Sequence, residues 1–262
     1  MSKCALVGLA VGVSLFCALP AATTVSAQPS FERGWIDVNI GIAGAAEDSR
    51  GIRGTRIVNL EEAAFDVTYR RPRGADFDFG GGFMFTPLFG AGVSFTGTAH
   101  QDPADLAIRI PHPIWANAFG NASGETGQRL EHTEGGVHLQ AMAALPLPND
   151  RVRVRVFGGP TFFRAKTEVV TEIRYDQVYQ IFGPGNAVEI SEYDSVSIEE
   201  TGWGFHGGGD VSVFFTRVVG VGGFARFSRG EVTIDDSRVL ANSPTDLKVG
   251  GFQAGGGLRL KF

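Results

Sequence analysis

The feature that most constrains the fold is the alternation of apolar and polar residues in the carboxyl-terminal segment of the chain. Leu258, Leu260 and Phe262 fall on one face of a strand, and Arg259 and Lys261 fall on the other, because successive strand residues point to opposite faces. A soluble edge strand rarely ends in an apolar aromatic residue. In a transmembrane β-barrel, by contrast, a terminal aromatic side chain lies at the membrane interface. The segment therefore predicts the last strand of a membrane barrel.

The same alternation recurs along the chain and predicts eight strands. They cover residues 35–44, 76–85, 88–99, 130–145, 151–168, 201–215, 219–231 and 247–262. The Gly158-Gly159-Pro160 run suggests a β-bulge in the fifth strand, because proline cannot donate to a ladder. The facing of side chains beyond Pro160, including Phe162 and Phe163, stays open.

The connections between these segments alternate in length. Tight turns at 86–87, 146–150 and 216–218 are separated by long polar stretches at 45–75, 100–128, 169–200 and 234–246. Short turns on one side and long loops on the other are typical of outer-membrane barrels, with the turns in the periplasm. A ninth alternating segment, Ala64 to Arg70, is assigned to the first long loop as a hairpin above the membrane. An even strand count then leaves both termini in the periplasm.

A water-soluble sandwich or lipocalin-like barrel is the alternative, since periodicity alone does not tell an inward apolar face from an outward one. The opposite face is rich in glycine rather than in lysine and glutamate, which suits the crowded lumen of a small barrel. The loops are asymmetric, and the sequence stops on Phe262. These features favour an all-β fold, an eight-stranded antiparallel up-and-down transmembrane β-barrel.

The amino terminus has the pattern of an export signal. Lys3 is followed by an apolar run, and Val25-Ser26-Ala27 has small residues at both positions that a signal peptidase reads. We expect a signal peptide over residues 1–27, cleaved after Ala27, and one barrel domain over residues 28–262. Cys17 leaves a lipoprotein signal as an alternative, which Phe16 disfavours because a small residue is needed there.

Composition excludes several classes of function. The chain has 23 basic and 28 acidic residues and a net charge of −5, and it has no basic cluster of the kind that binds nucleic acid. Both cysteines, Cys4 and Cys17, lie in the predicted signal peptide. Disulfides and thiolate chemistry are therefore not expected in the mature chain.

The predicted export signal, the eight alternating segments, the turn Phe85-Thr-Pro-Leu88 and the terminal Gly-Leu-Arg-Leu-Lys-Phe262 resemble bacterial outer-membrane β-barrel proteins of the OmpA/OmpX type. The resemblance covers the whole mature chain and implies an integral outer-membrane protein in contact with lipid and lipopolysaccharide. It also implies that Phe262, with Leu260 and Leu258, is the signal that the barrel-assembly machinery recognises.

Two sets of polar residues lie on the same face of a predicted strand, but their spacing does not bring them close enough to form a site. His206 and Asp210 lie four apart, about 13 Å along a strand, which is too far for a direct hydrogen bond. His132, Glu134 and His138 have the same facing but no close third ligand for a tetrahedral zinc site. We interpret both sets as polar filling of the lumen, and we expect no metal, no cofactor and no catalytic residues.

Two enzyme types use related barrels. Outer-membrane deacylases of the PagL type have a serine near a histidine; Arg226-Phe-Ser228 resembles that strand only loosely, and it lacks the neighbouring base that a serine nucleophile needs. Proteases of the omptin type have ten strands. The sequence therefore favours a non-enzymatic barrel with long loops in a structural or surface-binding role. A narrow pore for small solutes is the alternative, and a lipid A-modifying enzyme is less favoured.

The sequence also predicts a role for one loop and a contact between two lumen residues. The stretch Ile110-Pro-His-Pro-Ile-Trp115 is interpreted either as a contact patch or as a plug over the barrel mouth. Centring the turn between the sixth and seventh strands on Val218 places Asp210 opposite Arg226 inside the lumen, at a cross-strand distance of ~5 Å.

Long basic side chains also cluster near the predicted periplasmic end of the barrel. They are Arg153, Arg155, Arg259 and Lys261, with Asp37 as one acidic partner. An eight-stranded barrel is just wide enough for its own side chains. We therefore expect no continuous water-filled pore.

Overall fold

The structure, a computed structural model, describes residues 33–44, 49–70, 74–148, 151–234, 240 and 245–262. The predicted signal peptide and its cleavage site after Ala27 lie outside these residues. Within the described ranges, no helix is long and apolar enough to cross a membrane.

The described residues form twelve β-strands. Their bounds are β1 Gly34–Ala43, β2 Ser49–Val58, β3 Glu61–Arg70, β4 Gly74–Met84, β5 Phe89–Asp102, β6 Ala104–Pro111, β7 Phe119–Glu125, β8 Leu130–Leu145, β9 Val152–Tyr179, β10 Asn186–Phe214, β11 Val219–Ile234 and β12 Thr245–Lys261. Eight strands close an antiparallel barrel in the order β1-β12-β11-β10-β9-β8-β5-β4. The other four form a separate sheet in the order β2-β3-β6-β7, named the external sheet below.

The first and last strands close the barrel, as the terminal alternation predicts. Trp35 lies opposite Lys261, and the antiparallel register runs on to Ala43 opposite Gln253. The N–H of Phe262 donates to the carbonyl of Gly34 at 2.9 Å, and the N–H of Gly34 donates back at 2.7 Å. The barrel wall therefore has no open edge, a condition that a membrane imposes on a sheet.

Two of the short connections use the same turn. The hydroxyl of Thr86 accepts from the N–H groups of Leu88 and Phe89. In the same way, the hydroxyl of Thr216 accepts from the N–H groups of Val218 and Val219. These turns mark one end of the barrel, named the turn end. The opposite end, where the longer segments emerge, is named the loop end.

The register between β10 and β11 corrects the predicted lumen pair. Phe214 lies opposite Gly220, so the turn is centred on Arg217 and not on Val218. Asp210 then lies opposite Phe224 rather than Arg226. The error is two residues, an even number, and the facing of every side chain is therefore unchanged.

The predicted loop over residues 169–200 is wrong, because β9 and β10 pair with each other as far as Tyr179 and Asn186. The register shift between Asp194 and Ser195 interrupts the alternation there, so Val170 and Ile173, three residues apart, are buried in the same apolar core. The predicted bulge at residues 158–160 is also wrong. The β9–β10 register is unbroken there, and its shifts lie instead between Ile190 and Glu192 and between Asp194 and Ser195.

The external sheet is built from the first two long connections. Its β2–β3 pair contains the segment Ala64 to Arg70 and confirms the hairpin placed there. Its β6–β7 pair lies in the stretch predicted as the second loop, and β6 pairs with β3. The sheet and the β9–β10 extension share one apolar core, made of Ala63, Phe65, Val67, Ala104, Leu106, Ile108, Ile110, Leu130, Val170 and Ile173.

The barrel wall is apolar outside and polar inside. Its outward side chains leave large apolar groups exposed, among them Val38, Ile40, Phe77, Phe79, Phe95, Leu139, Phe205, Val211, Val221, Phe227, Phe252 and Leu258. Such a band on a closed barrel fits the hydrocarbon region of a bilayer. The structure is therefore that of a transmembrane barrel. Phe162 faces outward, its ring 5.2 Å from that of Trp203, whereas Phe163 is buried in the lumen.

Candidate functional site

Two arginines and two aspartates fill the lumen near the turn end, and together they are named the floor network. Arg259 contacts Asp210 (Nη2–Oδ2, 2.5 Å), and Arg155 contacts the other oxygen of the same carboxylate (Nη2–Oδ1, 2.9 Å). Each arginine also lies 3.2 Å from Asp37. All four side chains are buried. Two positive and two negative charges balance within the network, which buried ions require.

Arg226 organises a second network, one layer nearer the loop end. Its guanidinium donates to Asp78 (Nη2–Oδ2, 2.6 Å), to Ser94 (Nη1–Oγ, 2.9 Å) and to Gln253 (Nε–Oε1, 2.9 Å). Gln253 in turn donates to Asp76 at 3.1 Å. The predicted pair of Asp210 and Arg226 is not formed, since the carboxylate that pairs with Arg226 is Asp78.

Asn39 joins the two networks. Its carbonyl oxygen accepts from Arg259, and its amide donates to Asp78 (Nδ2–Oδ1, 2.7 Å). Together the two networks draw side chains from seven of the eight barrel strands, β8 being the exception. They therefore tie the wall together across the lumen, beyond the backbone ladder.

Glycines make room for the largest side chain in this region. Trp35 lies against Gly82 and Gly92, where an added Cβ would come within 2.8 and 2.7 Å of the indole ring. The guanidinium of Arg155 stacks 4.5 Å from that ring. The glycine-rich face that the sequence places in the lumen therefore accommodates large groups from neighbouring strands.

Histidines form the next layer. Thr161 lies between two imidazoles, 2.8 Å from His138 Nδ1 and 2.9 Å from His206 Nδ1. The other nitrogen of His138 contacts Thr96 at 3.0 Å. Since Thr161 can donate one hydrogen bond and accept another, it links the two rings, whose centroids are 4.8 Å apart.

A further polar contact lies nearer the loop end. His132 Nε2 is 2.7 Å from Glu134 Oε1, and the other oxygen of Glu134 accepts from the N–H of Gly250 at 3.0 Å. Gly250 and Gly251 have φ values of 91° and 131°. Only glycine adopts such values without strain, so this pair of glycines sets the backbone that points its N–H at the carboxylate.

An apolar layer, named the roof, closes the lumen at the loop end. It comprises Ile52, Phe163, Ala165, Val169, Ile198, Val232, Ile234, Leu247 and Val249. Ile52 belongs to β2, so the external sheet contributes directly to the roof. Between the floor network and the Arg226 network one cavity remains, and another lies beside Glu134; each has about 30 Å³ of free volume. That is room for one or two water molecules.

The structure places the polar residues considered as possible sites in the lumen but does not bring them into a catalytic or metal-binding arrangement. His206 contacts Thr161, whereas Asp210 contacts Arg155 and Arg259. His132 and Glu134 pair with each other, and His138 turns instead to two threonines. Among the residues that the structure describes, no three histidine, cysteine or acidic side chains are grouped to hold a metal.

The basic residues of the lumen could be identified from the sequence, but most of their partners could not. The predicted alternation places Asp78, Ser94 and Gln253 on the lumen face, so all three were candidates for contact with Arg226. What sequence could not supply was depth along the barrel axis. That depth depends on the stagger of strands that are far apart in the chain, such as β4 and β11.

The Ile110–Trp115 stretch does not plug the barrel mouth, which the roof closes. It lies instead at the end of the external sheet, against the tip of the β9–β10 hairpin, where Trp115 Nε1 donates to the carbonyl of Ile181 at 3.1 Å. The alternative reading, a contact patch, stays a prediction.

No protein-family model matches the chain, and no curated protein does. The fold is similar to solved outer-membrane structures at low sequence identity. OprG from Pseudomonas aeruginosa is 9% identical with a TM-score of 0.44, over 88% of this chain and 97% of its own. The outer membrane protease OmpT from Escherichia coli is 10% identical with a TM-score of 0.45, over 91% and 99%. Neisserial surface protein A is 11% identical with a TM-score of 0.41, over 87% and 97%.

Proposed function

We propose that this chain is an integral outer-membrane barrel with a sealed lumen, which presents its external sheet at the cell surface in a structural or binding role. The observation that carries the proposal is the filling of the lumen: the floor network and the Arg226 network lie beneath a continuous apolar roof. A barrel filled in this way acts as a rigid membrane anchor rather than as a passage.

The proposed orientation places the turn end in the periplasm and the external sheet outside. Short turns on the periplasmic side and long extracellular segments are the usual layout of such barrels. Gly34, at the start of β1, and Phe262, just after β12, both lie at the turn end. The N–H of Met84, beside the first turn, donates to the carbonyl of Arg33, and the N–H of Lys261 donates to that of Val218 in the other turn. In this orientation the terminal strand is available to the assembly machinery, and the wall contacts lipid and lipopolysaccharide.

The role is proposed to be non-enzymatic. The buried lumen histidines and carboxylates that sequence analysis considered as sites make hydrogen bonds or ion pairs with other lumen side chains, beneath the roof. A substrate entering from either end would first have to break ion pairs or displace apolar side chains. Expression of the protein should therefore leave the mass of lipid A unchanged.

Conductance in a planar bilayer tests the sealed lumen. The purified, folded protein is inserted and compared with a known porin under the same conditions, and insertion is verified independently by gel mobility of the reconstituted sample. We expect no steady conductance above the membrane background. A steady open-channel current would contradict the sealed lumen and favour the narrow-pore alternative.

A further inference from the structure

Three loop tips meet at the end of the external sheet that is farthest from the barrel. They are the β2–β3 turn, the β6–β7 connection and the β9–β10 turn. Asn59 Nδ2 donates to the carbonyl of Pro111 at 3.2 Å, and Trp115 Nε1 donates to that of Ile181 at 3.1 Å. At a strand rise of ~3.3 Å per residue, the tip lies roughly 40 Å beyond Thr167, the last residue of β9 that pairs with β8.

These tips expose large apolar side chains. The apex cluster, as it is named here, comprises Leu60, Ile114, Trp115, Ile181 and Phe182. Leu60 and Phe182 are 96% and 97% exposed. Leu60 has a φ of 70° in a tight turn that normally favours Asn or Gly. Single exposed apolar residues are normal, but a group of them at one tip marks an interaction surface.

The segments that form the three tips are also uncharged, and the nearest carboxylate, that of Glu61, accepts a hydrogen bond from the N–H of Asn117 at 2.8 Å. Residues 57–60, 110–124 and 177–188 contain no Asp, Glu, Lys or Arg, although 19% of the chain is charged. Nearer the barrel than these segments, Arg174 forms ion pairs with Glu192 at 2.5 Å and with Asp194 at 2.6 Å. Tyr179, an aromatic side chain with a polar end, lies between the apex cluster and these ion pairs, its ring 5.4 Å from that of His112. An apolar tip, then an amphipathic aromatic side chain, then charges is the order found at a membrane interface.

The backbone at the apex is already hydrogen-bonded within the protein. The carbonyl of Pro111 accepts from Asn59 and from Gln177, and that of Ile110 accepts from Asn186. His112 Nδ1 accepts from the N–H groups of Ile114 and Trp115. The N–H of Gln180 donates to the carbonyl of Gly185 at 2.8 Å. Lipid cannot satisfy backbone groups, so this internal pairing is what entry into a bilayer requires.

We propose that the apex cluster inserts shallowly into the surface of a second bilayer, made of charge-neutral phospholipid, that faces the external end of the barrel. A protein partner or a second copy is less favoured, because the three tip segments carry no charged side chain and the neighbouring carboxylate of Glu61 is turned inward to the N–H of Asn117. Asp176 and Glu189, which flank the β9–β10 tip on facing strands, would repel an anionic surface. The inference goes beyond the proposed function but shares its orientation.

Fluorescence of Trp115 tests the insertion. The mature protein with Trp203→Phe is held in nanodiscs of unlabelled phosphatidylcholine and mixed with phosphatidylcholine vesicles whose acyl chains are brominated. Of the two remaining tryptophans, Trp35 is buried in the lumen and serves as a constant background. We expect quenching and a blue shift of Trp115 and co-flotation with the vesicles. Vesicles with added phosphatidylglycerol should bind more weakly.

Matched variants separate the apex from the rest of the surface. Phe182→Asp should weaken vesicle binding by about tenfold or more, the value of one buried aromatic side chain. Phe182→Leu, and Ser49→Asp at the exposed barrel end of the external sheet, opposite Arg70, should leave vesicle binding nearly unchanged. Unaltered gel mobility shows that each variant is folded.

Three outcomes would overturn the proposal: no quenching by brominated vesicles, equal binding by Phe182→Asp, or a shift that depends on protein concentration without vesicles. The last would assign the apex to self-association. Each result is independent of conductance, so the sealed lumen and the apex can fail separately.

Discussion

Arg259 on β12 and Asp210 on β10 are joined by an ion pair of 2.5 Å across the lumen, although these two strands are not neighbours in the barrel. The same carboxylate also binds Arg155 on β9. A single aspartate therefore holds two buried guanidinium groups from different parts of the wall. Its loss would leave both arginines short of a partner in a space that water barely reaches.

Asp210→Ala should lower the free energy of unfolding by about 3–5 kcal/mol, the usual cost of stranding a buried charge. Asp66→Ala is the matched control, because it removes one partner of an exposed pair with Arg53 on the external sheet, and exposed pairs contribute little. Urea unfolding in detergent, followed by tryptophan fluorescence, measures both. Equal effects of the two variants would contradict the role of the floor network.

The closed wall predicts heat-modifiable gel mobility. Every barrel strand is paired on both sides, including β1 with β12, so detergent finds no edge at which to begin unfolding. Unboiled protein should therefore run faster than boiled protein on a denaturing gel. Identical migration of both samples, with loss of β-structure in mild detergent, would contradict the barrel.

Phe262→Ala, or deletion of Phe262, should reduce the amount of protein in the outer membrane while leaving cleavage after Ala27 intact. The ring of Phe262 is exposed at the turn end, and its backbone pairs with Gly34. Phe252→Ala is a suitable control, since this residue is also outward and aromatic but lies farther along β12. Normal insertion of the Phe262 variants would show that recognition lies elsewhere.

Much of the barrel could be predicted because alternation is a local property. Strand number, facing and closure by the terminal segment follow from residues such as Phe252, Leu258 and Phe262, whose spacing is visible in the sequence. The external part was harder to predict. Over residues 169–200 one side of the β9–β10 hairpin is charged, and the other packs against the external sheet. The register shift also interrupts the apolar pattern, so the sequence there resembles a polar loop.

The lumen shows the limit of the same argument. Facing depends only on parity, and Asp210 and Arg226 both point inward as expected. Which residues meet depends on the register, and the Thr216 turn sets that register by its own side-chain hydrogen bonds. A shift of two residues was enough to give Arg226 another carboxylate.

Cysteine cross-linking checks this register. Val213 lies opposite Val221, whereas the predicted centre would have placed Val211 opposite Ala225. A double cysteine variant at positions 213 and 221 should oxidise readily to an intramolecular disulfide, and one at positions 211 and 225 should not. Both cysteines of the natural sequence lie in the predicted signal peptide, so the variants are produced from residue 28 onward, where the sequence has no other cysteine. The opposite result would restore the turn centred on Val218.

Because Tyr69 is titrated at alkaline pH, we expect the stability of the protein to depend on pH there. Its buried hydroxyl accepts a hydrogen bond from the N–H of Val170 at 2.8 Å, and burial raises the pKa of Tyr69 to about 12. The unfolded chain loses this proton near pH ~10, so between the two values the folded state holds more protons and stability falls as pH rises. Relative to Tyr69→Phe, the wild-type protein should lose about 2 kcal/mol over that interval. The variant itself is less stable at every pH, because it leaves the N–H of Val170 unpaired.

The difference in phenolate absorbance between the wild-type protein and the variant measures the titration of Tyr69 directly. A midpoint near the ordinary tyrosine pKa would show that the hydroxyl is open to water.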